Sequence, residues 1–75
     1  MRVEPKTFDI IGVSSSELYF IARAYYDEGL KDRDEGYKVI ALNELAQAKE
    51  LFGIYGESYM VARCEEAIDE INEEM

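Results

Sequence analysis

From Ser14 to Met75 the apolar residues recur at intervals of three and four, the spacing that gathers them on one face of a helix. Ser14 and Glu17 stand at the S-x-x-E spacing of a capping box, in which each side chain accepts from the other residue's backbone N–H, so a first helix is expected to start near Ser15. From Leu18 to Leu30 its apolar positions form two stripes, Leu18, Ala22, Tyr25 and Gly29 beside Tyr19, Tyr26 and Leu30. Only Arg23, Asp27 and Glu28 are clearly polar between them. The polar run Lys31 to Gly36 then predicts a fraying helix end and a short turn.

A second helix is expected from about Tyr37 to Phe52, with Ala41, Leu45, Ala48 and Phe52 on one stripe and Leu42 and Ala46 beside it. Lys38, Glu44, Lys49 and Glu50 are expected to face water, and Gly53 and Gly56 to end the helix. A third helix, from Glu57 or Ser58 to Asn72, carries the cleanest stripe: Met60, Cys64, Ala67, Ile68, Ile71 and Met75. Its other face holds Glu65, Glu66, Asp69, Glu70, Glu73 and Glu74. Acids at a helix C-terminus oppose the macrodipole, so this end is expected to fray.

Small residues at three-to-four spacing let helices approach closely, which favours an antiparallel pairing of the first two helices across their short turn. The fold expected is therefore all-α: an antiparallel helical hairpin plus a third, capping helix, in one domain over residues 14–75. Ahead of it, residues 1–13 hold the single proline and the run Phe8-Asp9-Ile10-Ile11-Gly12-Val13, which suits an extended N-terminal arm. A lone strand lacks a partner in a helical chain, so the arm is expected either to lie over the helices or to pair with a second subunit.

At 75 residues, folding removes only about 60% of the unfolded chain's surface from water, so self-association, as a homodimer, is expected. Seventeen acidic against eight basic side chains, a net charge of −9, argue against nucleic acid and against an anionic membrane surface, both of which need clustered Lys and Arg. Met1 to Pro5 lack the apolar core of a signal peptide, and a single cysteine, Cys64, cannot form an internal disulfide; a cytoplasmic location is expected.

The chemistry of the chain is sparse. It has no histidine, which removes the di-iron Glu-x-x-His arrangement and any His-based catalysis. Asp32 and Asp34 resemble the start of a calcium loop, but Tyr37 stands where the loop needs glycine and Asn43 where it needs glutamate. No phosphate loop, Ser-His-Asp arrangement or zinc spacing occurs, so neither an enzyme nor a cofactor is expected. Carboxylates four apart on the third helix, Glu66 with Glu70 or Asp69 with Glu73, leave one alternative: a small-ligand or divalent-metal-binding helical protein.

Tyr25 and Tyr59 are 34 residues apart, the period of the tetratricopeptide repeat. Set on that repeat, residues 22–55 resemble one unit: Tyr25 falls at an aromatic position, Gly29 at the small residue of the first helix, Gly36 at the turn, and Ala41 and Ala48 at the two alanines of the second helix. Glu28 and Asp32 depart from it, standing where the family prefers a large apolar and an aromatic residue, and Leu45 replaces the usual aromatic. The resemblance implies that the third helix begins a truncated second repeat that caps the first. The pattern is also similar to small archaeal helical-hairpin proteins and to generic three-helix bundles.

The resemblance further implies that Arg23, Tyr26, Leu30 and Arg33 look into a peptide groove, where two arginines would hold an acidic or C-terminal peptide. With Tyr19 they make the expected protein-interaction face, since tyrosine gives large contact area at small entropic cost. The function expected is a small non-enzymatic interaction or assembly module that presents an aromatic and apolar helical face.

Overall fold

Residues 15–75 are described by the computed structural model. The expected arm at residues 1–13 and the Ser14 half of the capping box lie outside the described residues. The described chain forms α1 (Ser15–Asp34), α2 (Lys38–Tyr55) and α3 (Ser58–Glu74). It is all-α: α1 and α2 form the hairpin, α3 lies on α2, and α1 meets α3 only along a narrow margin. Among the described residues, no helix is long and apolar enough to cross a membrane.

The α1 stripe differs from expectation by one residue. Leu18, Ala22 and Tyr26 are buried while Tyr25 is 38% exposed; both tyrosines stand between Ala22 and Gly29 at steps of three and four, and Tyr26 is the one turned toward α3. The last turn of α1 does not fray at Lys31 but runs to Asp34. Lys31 and Arg33 lie in that turn, where cations meet the negative end of the dipole. Gly36 (φ 96°) then adopts the left-handed conformation, and Gly36 N–H donates to Arg33 O at 3.0 Å while Tyr37 N–H donates to Asp32 O at 2.8 Å. These are the two bonds of a Schellman ending.

The second turn uses the same device at Gly56 (φ 97°), where the N–H groups of Gly56 and Glu57 both donate to Phe52 O at 2.9 Å. Gly53 does not end α2, contrary to expectation; it stays helical inside the helix, which continues to Tyr55. A mid-helix glycine weakens a helix without stopping it, and here Phe52 is fully buried while Tyr55 meets the ring of Tyr19 at 5.4 Å.

The core runs the length of α2. Ala41, Leu45, Ala48 and Phe52 are fully buried between Ala22 and Tyr26 on one side and Met60, Cys64, Ala67 and Ile71 on the other. Burying a side chain such as Leu45 or Phe52 contributes about 1.5–3 kcal/mol. Tyr19 adds an edge-on contact to the Phe52 ring, 5.6 Å between centroids at 70°, an arrangement aromatic quadrupoles favour.

The acids of α3 hold it to the hairpin, as well as meeting water. Arg33 of α1 reaches Glu70 at 3.1 Å, and from α2 Lys49 reaches Glu65 at 3.2 Å and Lys38 reaches Glu74 at 3.3 Å. Exposed pairs of this kind are worth about 0.2–1 kcal/mol each. They also correct the expected end of α3, which continues past Asn72 to Glu74. Lys38 supplies a cation to that acidic terminus, and Met75 N–H donates to Ile71 O at 3.1 Å. The Met75 side chain, expected in the core stripe, is exposed.

Candidate functional site

Facing side chains of α1 and α3 enclose a shallow cleft of about 170 Å³. Tyr26, Leu30 and Arg33 of α1 line it opposite Arg63, Glu66, Ala67 and Glu70 of α3. The structure thus brings together three of the five side chains expected to form the interaction face and adds Arg63. The cleft is below the ~300–1,000 Å³ of small-molecule pockets.

Electrostatically the cleft is internally matched. Arg33 spans Glu70 at 3.1 Å and Asp34 at 3.6 Å, and Arg63 donates to Glu66 at 3.4 Å. A hydrogen bond to Tyr26, with the charges of Tyr26, Tyr59 and Glu66, pushes the Arg63 pKa further above its usual value. An acidic peptide entering here would have to displace Glu66 and Glu70.

The other two expected residues lie outside the cleft. Arg23 sits 5.6 Å from the centre of the Tyr26 ring, a cation–π contact, and pairs with Asp27 at 3.5 Å. Tyr19 packs between Phe52 and Tyr55. Cys64 is fully buried and its thiol is pushed up to about 11, first by burial, so almost no thiolate exists at neutral pH.

The side of the hairpin turned away from α3 carries a second arrangement. Ile21, Tyr25, Glu28 and Asp32 recur along α1, and Ile40, Glu44, Gln47 and Leu51 along α2, each at helical spacing. The carboxylates of Glu28, Asp32 and Glu44 converge to within 4.8 Å of one another within this seam. On either side of them, Ile40 toward the turn and Tyr25 and Ile21 toward the far end remain 52%, 38% and 41% exposed. This is the one group of three or more convergent metal-capable side chains among the described residues, and none of its members lies on α3.

Glu44 was expected to face water and instead is half-buried, with Oε1 buried and without a hydrogen-bond partner. Its carboxyl is raised from the ordinary 4.5 to about 7, first by a hydrogen bond with Asp32, then by burial and by the charges of Asp32 and Glu28. Two like charges at close range cannot both ionise freely. A sequence signal for this cluster existed in the departures of Glu28 and Asp32 from the repeat pattern, since two acids at apolar positions on a packed helix need an unusual surrounding. Glu44 carried no such signal, because which α2 residue faces Glu28 depends on how tightly the helices cross.

No protein-family model, curated protein or solved structure matches the chain.

Proposed function

We propose that the chain is a small, non-enzymatic protein–protein interaction or assembly module that works through the open seam of its α1–α2 hairpin and self-associates as a homodimer. The observation that carries this reading is the exposure of Ile21, Tyr25 and Ile40 along one seam, although the core between the helices is filled. Apolar side chains left exposed together on one side of a completed fold mark a docking site. Most of the face expected from the sequence is spent on internal cohesion: Tyr26 is buried, Tyr19 packs on two rings, and Arg23 and Arg33 are paired. The pairing of α1 with α2, and of α3 with α2, supports the likeness to one and a half tetratricopeptide repeats, with α3 as the cap. A cytoplasmic location belongs to the same reading, supported by a single, buried cysteine.

Sedimentation of the full chain over a range of concentrations tests the proposal. A reversible dimer is expected, strengthened by salt because each copy brings three clustered carboxylates to the contact. Changing both Ile21→Glu and Ile40→Glu should abolish it while the helical circular-dichroism signal persists. A dimer unaffected by the double change, or a monomer at every concentration and salt, overturns the reading.

A further inference from the structure

The seam sets its carboxylates between its apolar side chains. We propose that the pairing of two copies through this seam is gated by protons held at Glu28, Asp32 and Glu44, so that the copies join in mildly acid solution and part as the pH rises. The inference rests on the reading of the seam as a self-docking surface and adds its regulation.

Position is the first support. Ile40 lies on the turn side of the three carboxylates, and Tyr25 and Ile21 lie on the other. A partner that covers all three apolar side chains therefore takes the acids out of water as well. A neutral carboxyl bears that transfer at far smaller cost than a carboxylate. A second copy also brings its own cluster to the contact, which adds repulsion between like charges.

The second support is the lack of a counter-charge. Among the described residues no ion pair includes Glu28, Asp32 or Glu44, and the α2 cations Lys38 and Lys49 are held by Glu74 and Glu65 of α3. The charges that act on Glu44 are those of Asp32 and Glu28 on α1, and none comes from α3. Its Oε1 is already out of water with no donor to it.

These surroundings let Glu44 keep its proton up to about 7 in a free copy. Covering the cluster raises that value further, so above about 7 a dimer retains protons that free copies have released, and pairing weakens as pH rises. Below about 7 both forms are protonated and pairing is constant. One proton per copy gives a slope of up to about two powers of ten in the dissociation constant per pH unit.

Sedimentation of the full chain at pH 6 and pH 8.5, at one ionic strength, tests the gate. The dimer is expected to be roughly tenfold to a hundredfold weaker at the higher pH. Glu44→Gln should pair about equally at both values, whereas Glu73→Gln, which removes the same charge from an exposed position on α3, should keep the full dependence. A dimer of equal strength at the two values, one that tightens as pH rises, or a dependence that survives Glu44→Gln overturns the gate and leaves the docking reading standing. A chain monomeric at both values overturns the two together.

Discussion

Gly29 of α1 lies so close to Leu45 of α2 that a β-carbon at residue 29 would stand 2.7 Å from Leu45 Cγ and 2.9 Å from its Cδ2. Leu45 is fully buried, so the contact is not relieved by turning its side chain into solvent. Gly29→Ala is therefore expected to destabilise by about 1–2 kcal/mol, overpacking outweighing the ~1 kcal/mol that alanine gains in a helix. Gly53→Ala should do the reverse, adding about 0.5–1 kcal/mol, because its β-carbon would meet nothing within 4 Å. Urea midpoints of the two variants, moving in opposite directions at constant slope, check the contrast; a Gly29→Ala protein as stable as the parent would show that the helices cross less tightly.

Glu44 predicts a pH dependence with a definite sign. Below pH 4.5 both native and unfolded chains hold its proton, and it contributes nothing. Between 4.5 and about 7 the unfolded chain releases the proton while the native chain keeps it, so its contribution lowers stability as pH rises, and the loss is complete above about 7. Glu44→Gln removes the titration. The melting temperature of Glu44→Gln should match the parent near pH 4 and exceed it progressively up to pH 8; a constant difference between the two proteins would sink the argument.

Tyr26 and Tyr25 separate core from surface. Tyr26→Glu places a charge at a buried position and is expected to unfold the chain, a loss of several kcal/mol, roughly. Tyr25→Glu, one residue earlier and partly exposed, should leave circular dichroism unchanged and the melting point within a few degrees of the parent. Equal effects of the two changes would contradict the placement of the α1 stripe.

The Arg33–Glu70 pair ties α1 to α3 across the cleft at 3.1 Å. A double-mutant cycle with Arg33→Ala and Glu70→Ala should give a coupling of about 0.2–1 kcal/mol that shrinks with added salt. A coupling indistinguishable from zero at low salt would mean that the cleft is held by its apolar lining alone.

Much of the fold was legible because periodicity on the scale of a helix is a local property. The α2 stripe of Ala41, Leu45, Ala48 and Phe52 and the α3 stripe from Met60 to Ile71 are buried as the spacing predicts. Local pattern failed where two helices compete for one side chain. Tyr25 and Tyr26 both fit an apolar stripe, and only the placement of α3 selects Tyr26. Gly53 and Gly56 both read as helix ends, and the choice fell to Gly56, where the Phe52 carbonyl accepts the closing bonds. For the candidate site, Tyr26, Leu30 and Arg33 were found as neighbours on one helix face, whereas Arg63 joins them from 37 positions beyond Tyr26. The convergence of Glu44 on Glu28 and Asp32 follows from the closeness of the crossing at Gly29, a quantity that no spacing along one helix contains.

The unequal sharing of contacts among the three helices sets an order of release. Since α2 alone is flanked on both sides and α1 barely touches α3, either outer helix can swing off without dismantling the opposite pair. Backbone amides in the middle of α2 should accordingly be the last to trade their protons for deuterium, and a protease nicking the turn at Gly56 would free α3 while sparing the two-helix remnant.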